Sequence, residues 1–262
     1  MKRLLSIATA ALTAATALAF CIMTPPIDAT AEDALVWDDE IYFDSEEEVR
    51  EKFVAHFCSS QNERRADDLS YSWRIDDGTL LRTNNVDPAR DTVNIAVLTY
   101  TGNTYDDFEL SVDYKMGNKT IFWPVVGIRQ QIPGKYYTSV GGGAGVFMQD
   151  NGKITMWGPI LGGLQEYSIP GAGNYAFREW HNMRILAVGK AITVWIDGVE
   201  VYTFSVNSTD YIKGYISLQS VNNDCRFDNF KIRAIGTADV AENEPNRGPN
   251  ASDGTPLDDY IK

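Results

Sequence analysis

The sequence predicts an all-β protein, an antiparallel sandwich or barrel with one short N-terminal helix. Three observations carry that prediction. Apolar and polar residues alternate through most of the chain, as in Phe108, Leu110, Val112 and Tyr114 set against Glu109, Ser111 and Asp113; a period of two sends successive side chains to opposite faces of a strand. Asn151-Gly152 and Asp197-Gly198 are dipeptides that accept the positive φ of two-residue hairpin turns. Helical periodicity is confined to one stretch after Ser45. No repeat of fixed period is visible, which argues against a propeller or solenoid.

The elements follow in order. Lys2 and Arg3 precede an uncharged, Ala-rich run from Leu4 to Met23, and Ala29-Thr30-Ala31 supplies the small residues that a signal peptidase reads. Residues 1–31 are therefore expected to be a signal peptide cleaved before Glu32; a retained membrane anchor is the alternative. Val36 to Phe43 reads as a first strand. Ser45-Glu46-Glu47-Glu48 is a capping box, and Val49, Phe53 and Phe57 form a helical stripe ending near Cys58. His56 on that helix reads as a structural histidine. A polar loop, Gln61 to Ser70, leads to a hairpin, Tyr71 to Ile75 and Thr79 to Arg82, turning at Asp76-Asp77-Gly78. Further strands are expected at 93–100, 107–114, 121–130, 146–149, 153–157, 180–188, 192–196, 199–204, 214–220 and 225–234. The cluster Gly141 to Gly145 lacks the Lys-Ser/Thr of a phosphate loop and reads as a turn where backbones pass closely. Residues 237–262, with three prolines and little apolar patterning, read as an acidic disordered tail, leaving 32–236 as the folded domain.

Composition narrows the function classes. The 262 residues carry 23 Lys and Arg against 36 Asp and Glu, a net charge of −13. Such a field repels nucleic acid and anionic membrane, so neither is expected as a partner once the signal is removed. Three cysteines, two histidines and no Cys-x-x-Cys leave too few ligands for a Cys/His zinc site. Export would place the protein outside the cell of a bacterium and permit a disulfide between Cys58 and Cys225. That bridge would close a long loop and stabilise by about 4–5 kcal/mol; two separate buried thiols are the alternative.

The second half resembles the concanavalin A-like lectin/glucanase superfamily. The resemblance rests on Tyr105-Asp106-Asp107-Phe108-Glu109-Leu110, Glu179 to Ile185, Ile192 to Gly198, Gly214 to Gln219 and Phe227 to Ile232, in order and at the right spacing. It covers about Val36 to Ala234, and within the superfamily it is nearest to laminin-G-like domains, family-66 fructan-binding modules and the 3-keto-disaccharide hydrolase domain. The fold it implies is a jelly roll of two antiparallel sheets, with sugar on the concave face or in its rim loops. It also implies a structural calcium as a candidate cofactor, for which Asp228 and Asn229, with Asp38-Asp39, supply oxygens.

The sequence carries none of the known carboxylate patterns of glycosidases. Glu109 and Asp113 lie at i and i+4 on one strand, about 13 Å apart, too far for either glycosidase arrangement. There is no nucleophile elbow and no His-Glu-x-x-His. The first reading is thus a secreted, non-catalytic, lectin-like protein for a poly- or oligosaccharide. The alternatives are a glycoside hydrolase-like enzyme of the 3-keto-disaccharide type and a laminin-G-like adhesion domain with a cell-surface protein partner. The candidate binding residues are Glu109, Trp123, Arg129, Gln149 and Trp157: a carboxylate, an amide and a guanidinium for hydroxyls, two indoles for stacking. Trp123 and Arg129 share a strand face unless a bulge intervenes. Tyr136-Tyr137 are a candidate rim.

Overall fold

A computed structural model describes residues 36–58, 64–66, 68–83, 95–117, 123–149, 151–169, 179–207, 212–221 and 224–235; the signal peptide 1–31 and the tail 237–262 lie outside the described residues. In chain order the elements are β1 (Asp39–Ile41), α1 (Glu46–Lys52), β2 (Phe53–Cys58), β3 (Arg64–Ala66), α2 (Leu69–Ser72), β4 (Trp73–Asp76), β5 (Thr79–Arg82), β6 (Ile95–Tyr100), β7 (Phe108–Lys115), β8 (Val125–Gln130), β9 (Ala144–Met148), β10 (Lys153–Gly158), β11 (Gly163–Ser168), β12 (Trp180–Val188), β13 (Ala191–Ile196), β14 (Val199–Ser205), β15 (Tyr215–Val221) and β16 (Arg226–Ala234).

The strands form the expected two antiparallel sheets. Sheet I runs β14-β13-β12-β7-β16-β5-β4, with β1 also paired to β16; sheet II runs β11-β10-β9-β8-β15-β6-β2-β3. The inner faces meet in one core, in which Phe108, Leu110, Val112 and Ile185 of sheet I pack with Leu98, Val126, Val146 and Leu218 of sheet II. Each such side chain contributes about 1.5–3 kcal/mol by leaving water. The turns are those that the dipeptides predict. Asp77 and Gly78 have φ of 55° and 65°, and Asp197 and Gly198 have 51° and 78°, two positive values in succession, as the hairpin twist requires.

Four expectations are corrected. The helix ends at Lys52, and Phe53–Cys58 is a strand. Ser45 caps α1 by accepting from Glu48 N at 3.2 Å, while the Glu48 carboxylate reaches back to Asp44 N. The spacing 49, 53, 57 satisfies a helix, but Phe53, Ala55 and Phe57 are all buried, and Ala55 supplies the period of two. His56 consequently stands on a strand, on the outer face of sheet II. Second, the polar loop 61–70 contains β3 and the start of α2. Third, β11 carries no sequence signal: its residues are nearly all exposed, so no buried face imposes alternation.

The fourth correction concerns the disulfide. Cys225 is a free, fully buried thiol in the core between the sheets. Position 58 closes β2, and its side chain lies outside the described residues. Burial pushes the Cys225 thiol up to about 12, against hydrogen bonding from Ser220 and the Arg82 charge. The thiolate is the reactive form, so Cys225 is expected to resist a thiol reagent at pH 8 in the folded protein and to react fully in urea. Peptide mapping of the labelled site checks this; labelling of native Cys225 within minutes would contradict the burial.

Candidate functional site

The outer face of sheet II divides into a covered half and an open half. The segment joining β8 to β9, residues 131–143, folds back over β8, β15, β6 and β2. Gly134 N donates to Thr99 Oγ1 at 3.0 Å and Tyr137 N to Gln219 Oε1 at 3.1 Å. Lys135 O accepts from Gln130 Nε2, and Gln131 Nε2 donates to Lys213 O. Beneath it His56, Thr99, Gln130, Ser217 and Gln219 are buried. The approach is close: a Cβ on Gly134, where φ is 76°, would lie 2.3 Å from the His56 ring. Buried amides and hydroxyls demand partners, and this segment's backbone supplies them. Tyr137, expected at a rim, is buried against Phe147 and Trp157, with ring centroids at 5.6 and 6.1 Å.

The open half lies over β10 and β11. Ile154 and Met156 face the core, so Lys153, Thr155 and Trp157 alternate outward. Trp157 is 43% exposed. Thr155 stands opposite Glu166 and Trp157 opposite Leu164, which makes Trp157 and Glu166 diagonal neighbours about 7–8 Å apart. Gln149 Nε2 donates to Glu166 Oε1 at 2.6 Å and Thr155 Oγ1 at 2.8 Å, and its Oε1 accepts from Asn151. Lys153 Nζ reaches Glu166 Oε2 at 3.1 Å. The Lys153 hydrogen bond, with that from Gln149, holds the Glu166 carboxyl below the usual carboxylate range against slight desolvation. Trp123 stacks flat on Phe147, with centroids at 5.5 Å.

The structure thus places Trp123, Gln149 and Trp157 on one outer face, with Gln149 held by Glu166 and Thr155 beside Lys153 and Trp123 packed on Phe147. Sequence reasoning missed Glu166 and Lys153. Glu166 stands on the strand without a signal; Lys153 was visible only as a hairpin position.

The other two binding candidates lie elsewhere. Glu109 is on the outer face of sheet I, 1% exposed, with Oε1 held by Arg184 Nε at 2.5 Å and Oε2 by Arg233 Nε at 2.8 Å. Burial disfavours its charge, but the two arginines outweigh burial and keep its carboxyl below the ordinary range. Arg129 departs from the parity expected for it because a bulge does intervene. The β8–β15 register shifts between Tyr215 and Ser217, and Arg129 has φ 52°. Its buried guanidinium donates to the carbonyls of Gly189 at 2.7 Å and Asp106 at 3.3 Å, so it ties β8 to two loops of sheet I and pairs with neither Glu109 nor Asp113.

Asp228 and Asn229, the expected calcium ligands, are engaged within the protein. They sit at a bulge in β16, where Asn229 turns its amide nitrogen to Asp113 Oδ2 at 2.7 Å and so presents a donor. Asp38 accepts from Ala234 N, and Asp39 holds Lys52 at 3.0 Å and Tyr100. Among the described residues no three Asp, Glu, His or Cys side chains converge on a cation site, whereas calcium takes six to eight oxygens.

Two facing antiparallel sheets in this order, with one outer face part covered and part open, define a concanavalin A-like sandwich of the lectin and glucanase kind. The chain belongs to the 3-keto-alpha-glucoside-1,2-lyase-like domain family, whose model matches residues 54–233. It thereby stands among carbohydrate-binding or glycoside hydrolase-like domains. Similar solved structures include the GlcNAcα1-4Gal-releasing endo-β-galactosidase of Clostridium perfringens, with a TM-score of 0.50 and 15% identity over 75% of this chain and 62% of that one. The family-66 carbohydrate-binding module of Bacillus subtilis has a TM-score of 0.41 and 11% identity over 54% and 85%. The laminarinase catalytic domain of Thermotoga maritima has 0.44 and 13% over 63% and 81%. At these identities the likeness is one of fold. No curated protein matches the chain.

Proposed function

We propose that this domain is an exported saccharide-binding protein that holds a short saccharide or a chain end on the open half of sheet II, without catalysis. One observation carries the reading: an exposed indole, Trp157, lies diagonally across from a carboxylate, Glu166, that is already fixed by Lys153 and Gln149. A sugar ring offers an apolar face to the indole and hydroxyls to the carboxylate. The buried Tyr137 and the segment behind it wall off one side, which favours a chain end over a chain running across the sheet.

Retaining hydrolysis uses two carboxyls about 5–5.5 Å apart. Among the described strand positions of this outer face, Glu166 is the one acidic residue. Its lowered pKa suits a hydrogen-bond acceptor and makes it a weak base near neutrality.

A second reading follows from the family match to 3-keto-alpha-glucoside-1,2-lyase-like domains. Such an elimination removes the proton at C2, made acidic by the neighbouring ketone, and expels the group at C1, so one base suffices. The full chain, incubated with neutral oligosaccharides and 3-keto-glucosides, separates the readings when bound protein and released sugar are followed together. Binding without product, weakened about tenfold by Trp157→Ala, is the expected result. Product release overturns the binding-only reading in favour of the lyase. Saccharide binding that survives Trp157→Ala overturns this site, and no affinity for any saccharide transfers the weight to a protein partner.

A further inference from the structure

The outer face of sheet I carries a patch that the saccharide site does not use. Ser111 on β7 stands directly opposite Arg184 of β12 and Lys231 of β16. Arg233 lies two residues along β16 from Lys231. Each cation rests on an aromatic ring: Arg184 over Trp195 at 4.4 Å, Lys231 over Tyr42 at 5.5 Å and Arg233 over Trp37 at 5.8 Å. The rings and the buried Glu109 carboxylate fix the two guanidinium planes in advance. Arg184 commits only Nε to Glu109. Its two terminal nitrogens make no hydrogen bond among the described residues, and its side chain is 40% exposed. Glu109 and Glu40 pair with these cations and Asp113 lies two residues along β7 from Ser111, so on a chain of net charge −13 the patch offers fixed donors rather than a net positive field.

We propose that this patch is a second binding site, for the anionic group of an acidic saccharide, seated over Ser111 between Arg184 and Lys231. The planar fork of arginine matches a carboxylate or a sulfate ester, whose oxygens accept two parallel N–H bonds. The Ser111 hydroxyl accepts from Asn182 Nδ2 at 2.9 Å, which leaves its own proton available as a further donor. The protein's overall field selects against dense polyanions. Duplex DNA carries one charge per about 1.7 Å, whereas an acidic saccharide spaces its charges by at least a sugar ring, and a single group reaches the patch with less repulsion.

The test is calorimetric titration of the full chain with oligogalacturonate, with a sulfated galactan oligosaccharide and with a neutral galactan oligosaccharide of equal length. At least one charged probe is expected to bind about tenfold more tightly than the neutral one. Arg184→Gln and, separately, Lys231→Gln are expected to abolish that preference, while Trp157→Ala preserves it. The probe that binds identifies carboxylate or sulfate as the group. Equal affinity for charged and neutral probes overturns the proposal, as does a preference that survives both substitutions in variants with unchanged melting temperature.

Discussion

Gly143→Ala is expected to destabilise the domain by about 3–5 kcal/mol, a large part of the 5–15 kcal/mol that holds a domain folded. Two effects add. Gly143 has φ 69°, a left-handed conformation that disfavours a side chain by about 1–2 kcal/mol. An added Cβ would also lie 2.2 Å from Ile128 O and 2.5 Å from Arg129 O. Those are backbone atoms of β8, which cannot rotate aside, so β9 must move off β8 and carry Phe147 with it. Gly198→Ala separates the two effects: its φ is 78°, but nothing lies within 4 Å of the added carbon, and a loss of about 1–2 kcal/mol is expected. Urea midpoints of the two variants provide the comparison. Equal losses would show that the close approach of β8 and β9 contributes nothing.

Glu109→Gln is expected to lower stability by about 2 kcal/mol at pH 7. Two arginine side chains lose their shared carboxylate, but both are part exposed, at 40% and 26%, so water takes up some of the lost interaction. The pH dependence has a definite sign. The folded carboxyl lies below its usual value because Arg233 and Arg184 outweigh burial, so the unfolded state binds the proton more readily. The stabilisation is fully present above the unfolded value of about 4.3 and is lost as pH falls through the folded one. The stability gap between wild type and variant is therefore expected to be constant from pH 7 to about 5 and to narrow below 4. A gap that widens on acidification would contradict the ion-pair assignment.

Glu109 and Arg129 mark where reading the residues ran out. Glu109 was legible as a mid-strand polar position opposite the core residues Phe108 and Leu110. Its two arginine partners come from β12 and β16, 75 and 124 residues away, and no local pattern announces such a pairing. Arg129 was legible as a strand residue, but one bulge against β15 reversed its direction, and a bulge depends on the partner strand. Glu166 stood on an edge strand without alternation and was invisible. Trp157 does point to the outer face of sheet II, because it follows the period of β10, and Gln149 and Trp123, which flank β9 and β8, lie on the same side through their contacts with Thr155 and Phe147.

The sequence by itself determined an antiparallel sandwich or barrel, most strand positions and the hairpin turns, because these follow from local periodicity and from dipeptides that accept positive φ, while the two-sheet jelly roll and the family were implied by the resemblance of five motifs in order. Tertiary structure alone decided that Phe53–Cys58 is a strand, that Cys225 is a buried free thiol, and which outer face each polar residue occupies. It alone decided that residues 131–143 cover half of sheet II while Trp157 stays open beside Glu166. These outcomes rest on contacts between residues far apart in the chain, where the burial of one group is set by the packing of another.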